Sequence, residues 1–349
     1  MTRREILSMA ASAPAWVSAT KLYAQKSGSS KMGGTPSAFS LRAQGGGGAK
    51  PFDIVEHCHK IGLGGVQTSL EAIELELAAK LGKRVKAYGM EVVLDTPPLP
   101  VEEGQLYRFD FALGACKAAG VRCLRTALAE RRYEQFDSVM AFQRSFERLK
   151  SYVALAVPIL EKNRIRLAIE NHGDWRAAAF ADWLDRLDCE YVGVCFDFGE
   201  SMALCEDPAD TLRTLAPYIF MCHIKDVAVD TYQDGFLLSE VALGEGILNL
   251  KEMVRTLRAK DPNMPFYLDV ATRDPVKVPV STDKYRAAFS NTYSPLPDKD
   301  VVNILDIVRK NPPKKPLPQI TGLNPAAAVK LEDESNLKCI DWARKNLGL

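Results

Sequence analysis

Along most of the chain, short β-rich apolar runs alternate with longer stretches whose apolar positions recur at helical spacing. The β-rich runs are Ala38–Leu41, Gly65–Thr68, Glu91–Asp95, Arg122–Thr126, Arg166–Glu170, Val192–Asp197, Ile219–His223 and Phe266–Val270. The helical stretches lie near 51–62, 71–88, 104–119, 134–162, 175–187, 208–216, 248–259 and 281–310. Eight strand–helix repeats in order predict an α/β fold, a parallel sheet closed into a (β/α)8 TIM barrel over residues 36–311. An open, doubly wound sheet is the alternative. No phosphate loop of GxGxxG or GxxxxGKS type is present, and the Gly45–Gly48 run lacks a following Lys-Ser, so it reads as a flexible first βα loop.

Most of the strand-like runs end in a polar residue. In a barrel that position opens onto the C-terminal face, where the chemistry of this architecture sits. Arg42, Gln67, Asp95, Arg125, Glu170, Asp197, His223 and Asp269 are therefore expected at one mouth.

The two ends of the chain break the pattern. Thr2-Arg3-Arg4-Glu5 precedes a moderately apolar, Ala- and Ser-rich stretch, Leu7 to Ala24, which reads as a twin-arginine export signal over 1–24. That reading predicts a periplasmic or otherwise extracytoplasmic location; without it the chain is expected in the cytoplasm. Residues 25–35 read as a Gly/Ser linker. Residues 312–349 read as a Pro-rich connector followed by a helix from about Asn324 to Leu347, packed on the barrel or on a partner subunit. No run reaches the roughly 18 apolar residues of a membrane span.

Composition narrows the function classes. With 45 basic and 44 acidic residues the net charge is +1, which gives no footprint for nucleic acid. A homo-oligomer remains open. Eight cysteines form no CxxC pair, and Cys123, Cys195 and Cys222 lie inside apolar runs, as buried reduced thiols do. Only four histidines are present, and His57 and His59 fall on the first helix, away from the mouth.

Four late strands end in groups that ligate metals: Glu170, Asp197, His223 and Asp269. The successive intervals are 27, 26 and 46 residues. The first two match one βα repeat, and the third has room for an insertion over Val229–Gly246. Three carboxylates and one imidazole suit one divalent metal ion such as Mn²⁺ or Mg²⁺ rather than a thiolate zinc site. His172 and Lys225 are candidates for binding substrate hydroxyls, as are Arg125 and Arg42 at the strand ends. Glu245, between two glycines, is placed either near the site or in a turn, and Arg273-Asp274-Pro275 is expected to fix the loop after strand eight through an ion pair.

These segments resemble the sugar phosphate isomerase/epimerase family of xylose isomerase-like barrels. The phrases that carry the likeness are LAIENHGD (167–174), CFDFGESMALCEDP (195–208), MCHIKD (221–226), LGEGILNL (243–250) and LDVATRDPVKVP (268–279). With HKIGLGGVQTSL (59–70), the likeness covers roughly residues 36–290. It implies a small sugar substrate and a metal held by Glu, Asp, His and Glu at the ends of strands five to eight. Those positions carry Glu170, Asp197, His223 and Asp269, so Asp stands where the family has Glu.

The resemblance also implies proton abstraction next to a carbonyl, with Glu170 and Asp269 as the acid/base pair and a metal-stabilised enediolate between the steps. Asp269 is one methylene shorter, which weakens the case for two-base epimerisation. Glu200 stands where ketose 3-epimerases place a histidine, and Arg176 where they place a substrate-binding glutamate. The first expectation is thus a metal-dependent isomerase or epimerase of a sugar or sugar derivative. The second is a lyase or hydrolase on 3-keto-glycosides, which needs one base only. A non-catalytic carbohydrate-binding barrel is a third. An apurinic-site nuclease would need more histidines and a basic face.

Overall fold

The computed structural model describes residues 30–45, 51–289 and 295–349. The proposed export signal and most of the Gly45–Gly48 run lie outside them. Eight strands close a parallel barrel: β1 (Gly33–Gly34), β2 (Gly65–Thr68), β3 (Glu91–Asp95), β4 (Cys123–Thr126), β5 (Arg166–Glu170), β6 (Val192–Asp197), β7 (Ile219–Ile224) and β10 (Phe266–Leu268). Hydrogen bonding runs around the barrel from β1 through β2 to β7, then β10, and back to β1. The insertion after β7 is a hairpin of β8 (Asp226–Tyr232) and β9 (Gly235–Val241), joined by β11 (Val276–Val278) into a separate antiparallel sheet.

Side chains on a strand alternate between its two faces, so each barrel strand has an inner and an outer set. Leu167, Ile169, Val194, Phe196, Cys222 and Ile224 pack outward into the main core between barrel and helices. Val93, Ala168, Cys195, Met221 and Tyr267 form a second cluster, filling the barrel interior. One alternation further on, the inner positions become Thr35, Asp95, Arg125, Glu170, Asp197, His223 and Asp269. The change from apolar to polar along one face raises the reactive side chains to the mouth while the barrel below them stays packed. All eight cysteines are free thiols, most of them buried.

The first strand is not where the pattern placed it. Ala38 and Phe39 lie in a 3-10 turn over Ser37–Phe39, followed by a helix over Ser40–Gly45. The strand is Gly33–Gly34, inside the stretch read as a linker. A Cβ at Gly33 would stand 2.4 Å from the Tyr267 ring, and one at Gly34 would stand 2.7 Å from Phe39. Only glycine fits there, and two glycines carry no apolar signal. The barrel therefore begins before residue 36.

Among the described residues, the stretch 281–310 holds two helices, Asp283–Ala287 and Asp298–Lys310. The last helix, Pro325–Leu347, packs on the chain's own first turn. Glu332 accepts the backbone N–H groups of Leu41 (2.7 Å) and Arg42 (2.9 Å), and Asn336 donates to Ala38 O at 2.5 Å. Cys339, Ile340 and Ala343 of this helix are fully buried. No helix among the described residues is long and apolar enough to cross a membrane.

Candidate metal and substrate site

Glu170, Asp197, His223 and Asp269 are all buried, and each offers a ligand atom within 4.8 Å of the others. Sheet register helps to bring them together, because Asp197 and His223 are direct partners across β6 and β7. Each is then oriented by neighbours. His223 Nε2 lies 2.7 Å from Gln67 Oε1, and Gln67 Nε2 donates to Asp95 Oδ1 at 2.9 Å. That contact has Nε2 donating to Gln67 and leaves Nδ1 facing Glu170 and Asp269, as a donor when the ring is charged and as a lone pair when it is neutral. Asp197 Oδ1 accepts the N–H groups of Gly199 (3.0 Å) and Glu200 (3.3 Å). Asp269 Oδ1 accepts Thr35 Oγ1 at 2.5 Å. Arg125 donates Nε to Glu170 Oε2 at 2.6 Å and Nη2 to the same oxygen.

Charge is tightly balanced here. Burial alone would raise the Glu170 carboxyl, but His223 and Arg125 hold it well below the carboxylate range. Burial likewise opposes ionisation of Asp269, and Lys225 and His223 outweigh it. Asp197 is pushed up to about 7 by burial, against the pull of Lys225. For Lys225 burial disfavours the ammonium, yet Asp197, Asp269 and Glu240 keep it charged.

One buried polar atom at the centre, His223 Nδ1, lacks a hydrogen-bond partner, and Asp197 Oδ2 is met only by the Lys225 ammonium at 2.8 Å. Nδ1 stands 3.3 Å from Glu170 Oε2 without hydrogen-bond alignment. Buried polar atoms are normally satisfied, so an orphan imidazole nitrogen within 4.8 Å of ligand atoms from three buried carboxylates fits a cation held there. Cys195 also lies near Glu170 and His223, but burial raises its thiol well above the usual range, which disfavours a thiolate ligand. The donor set is one of oxygens plus one imidazole nitrogen, suited to a hard or borderline divalent ion.

A family model described as the xylose isomerase-like TIM barrel matches residues 55–289, more than half of the chain. The chain belongs to that family. Among curated proteins, the 3-oxo-isoapionate decarboxylase of Pectobacterium atrosepticum is 25% identical over 198 residues, 56% of this chain and 67% of the relative. Among solved structures, D-psicose 3-epimerase, determined in the presence of D-fructose, is similar with a TM-score of 0.55 and 15% identity. That match covers 91% of this chain and 99% of the other. The IOLI protein, solved with a zinc atom, matches with a TM-score of 0.51 at 13% identity, over 80% and 98% of the two chains.

Within this xylose isomerase-like barrel the remaining sequence-derived candidates separate. Arg125 is at the mouth, but engaged with Glu170 and 3.7 Å from Asp95. Lys225 Nζ lies 2.8 Å from Asp197 Oδ2 and 2.9 Å from Asp269 Oδ2. His172 borders the site, its Nδ1 3.3 Å from Ala129 O. Arg42 is a correction. It lies in the Ser40–Gly45 helix and pairs with Asp333 of the last helix (Nε to Oδ1, 2.9 Å), so it does not face the ligand set. Thr35 holds the mouth position that Arg42 was expected to fill, a consequence of the displaced first strand.

The loop after the last barrel strand is fixed by an ion pair of Arg273, and its partner is Glu240. Arg273 bonds Glu240 at 2.6 Å, whereas Asp274 accepts from Ile320 N and Thr321 N of the connector. Glu245 pairs with Lys315 at 2.8 Å and belongs to a turn. Sequence reasoning missed three participants. Thr35 was hidden by its glycine strand. Arg131 forms a buried pair with Glu200, Nη2 to Oε1 at 2.7 Å, in place of the epimerase histidine. Glu240 reaches Lys225 from β9 of the hairpin that follows β7, which no local pattern announces.

Proposed function

We propose that this protein is a divalent-metal-dependent enzyme that removes a proton beside the carbonyl of a sugar or sugar derivative, using a single base, Glu170. The observation that carries this reading is the unequal state of two carboxylates. Both oxygens of Asp269 are engaged, Oδ1 by Thr35 and Oδ2 by Lys225, whose place on that oxygen an incoming metal would take. Glu170 is held through Oε2 alone, which leaves Oε1 for the substrate. A metal bound by Glu170, Asp197, His223 and Asp269 would polarise the carbonyl and lower the barrier to losing the neighbouring proton. The chain's own residues supply the rest. Arg125 fixes the Glu170 carboxylate against rotation, Gln67 fixes the His223 ring, and the buried setting keeps these charges unscreened.

One base can carry a proton between adjacent carbons on one face of the substrate, so isomerisation is the first reading. Two-face epimerisation would need a second free base, which Asp269 does not offer. Elimination or bond cleavage beside a ketone, as on a 3-keto-glycoside, is the second reading. It needs one base or none, and similarity to a decarboxylase of a 3-oxo substrate favours it. The paired arginines near the N-terminus support placing this chemistry outside the cytoplasm.

The test is incubation of Mn²⁺-loaded protein with ketoses and 3-keto-glucosides in deuterated water. Deuterium in an isomerised sugar supports the first reading and release of the aglycone the second. No exchange and no cleavage, or equal turnover by Glu170→Gln, would overturn the proposal.

A further inference from the structure

The centre contains a cation of its own. Asp197 Oδ1 and Asp269 Oδ1 are committed, the first to two backbone N–H groups and the second to Thr35. Each carboxylate therefore has one oxygen, Oδ2, left for an incoming ion. Those two oxygens are the ones that Lys225 Nζ approaches, at 2.8 and 2.9 Å. The lysine is buried. A divalent ion on the same oxygens would stand beside the ammonium in a setting with little water to screen it, so the two cations oppose each other.

A second anion is ready for the lysine. Glu240 Oε1, on β9 of the hairpin that follows β7, is 3.7 Å from Nζ. It lies outside the four-residue ligand set. Glu240 is itself fixed, since Arg273 donates to Oε1 (2.6 Å) and Ala271 N to Oε2 (2.6 Å). A shift of the flexible lysine stem toward Glu240 would free both Oδ2 atoms without leaving the ammonium unpaired.

We propose that Lys225 is an exchangeable counter-ion. In the metal-free protein it neutralises Asp197 and Asp269. On loading it moves to Glu240, so that this pair sets the affinity of the site. The inference rests on the metal reading of the four ligands. It makes Lys225 and Glu240 positioning residues, acting on the metal through the two aspartates.

The test is Mn²⁺ titration by calorimetry, with thermal unfolding in EDTA and in Mn²⁺, of wild type, Lys225→Met, Glu240→Gln and the double variant. Lys225→Met is expected to bind Mn²⁺ about tenfold more tightly, to unfold earlier in EDTA, and to gain more from Mn²⁺ than wild type does. Glu240→Gln is expected to bind Mn²⁺ about tenfold more weakly, and most of that loss should vanish in the Lys225→Met background. If Lys225→Met does not fold, Glu240→Gln alone still decides, because unchanged or tighter Mn²⁺ binding overturns the exchange. Unchanged or weaker binding by a folded Lys225→Met does the same, as does an equal Glu240→Gln loss with and without the lysine. Failure of wild type itself to bind Mn²⁺ would instead overturn the metal site.

Discussion

Thr35 Oγ1 donates a 2.5 Å hydrogen bond to Asp269 Oδ1, joining the first strand of the barrel to the loop after the last at the edge of the candidate metal centre. The bond leaves one oxygen of Asp269 pointing inward. Thr35→Val keeps the shape and removes the donor to a charged, buried acceptor, which costs about 1.5–3 kcal/mol. The expected outcome is a lower unfolding temperature together with Mn²⁺ affinity reduced about tenfold. A variant with unchanged melting and unchanged metal binding would refute the positioning role of Thr35.

His223 and Gln67 should fail differently. His223→Ala removes a ligand, and it is expected to abolish both bound metal and turnover. Gln67→Leu leaves the ligands intact but frees the imidazole to rotate, with an expected loss of about 10–100-fold in metal affinity. Metal analysis and circular dichroism separate this from unfolding. Wild-type activity in metal-free His223→Ala would contradict the proposed chemistry.

Legibility of this fold in the sequence followed its side chains. Strands β2 to β7 announce themselves because an apolar run ends in a polar group, and Glu170, Asp197 and His223 can be named from that alone. Strand β1 is silent for the opposite reason. It consists of two glycines that must lack side chains to clear Tyr267 and Phe39, so the apolar Ala38-Phe39 nearby attracted the assignment. That displacement moved Arg42 to the mouth and hid Thr35. Glu240 and the Arg131–Glu200 pair are tertiary facts, created by segments outside the barrel strands. Residue type shows that such groups can bond, but not with whom.

The reassignment of Arg42 has a kinetic consequence. Its guanidinium pairs with Asp333, at a partly exposed junction between the first and last helices. Arg42→Ala is expected to leave kcat and KM unchanged and to cost at most about 1 kcal/mol of stability. Arg125→Ala, which releases Glu170, is expected to reduce kcat by at least about tenfold, consistent with loss of a group that orients the base. Steady-state kinetics on both variants decide. A raised KM in Arg42→Ala would return that residue to the substrate.

Away from the centre, Glu206 gives the protein a pH dependence of defined sign. Its carboxylate is partly buried against the start of the 177–187 helix, accepting Ala177 N at 3.0 Å, with Arg176 Nε 3.4 Å away. Burial raises its pKa to about 7, more than Arg176 and the backbone N–H lower it. The folded protein therefore holds a proton that the unfolded chain, with an ordinary glutamate near 4.3, releases earlier. Between those values the native state binds more protons, so stability falls as pH rises. The contribution is fully present below about pH 4 and is lost as pH passes through 7, on the order of 1–3 kcal/mol. Asp174, Asp226 and Glu332, which burial also raises, add to the same slope. Glu206→Gln keeps an acceptor for Ala177 N and cannot ionise. Urea unfolding of wild type and variant at pH 5 and pH 8 should show the variant losing less stability across the interval. Parallel losses in the two proteins would show that Glu206 carries no part of the slope.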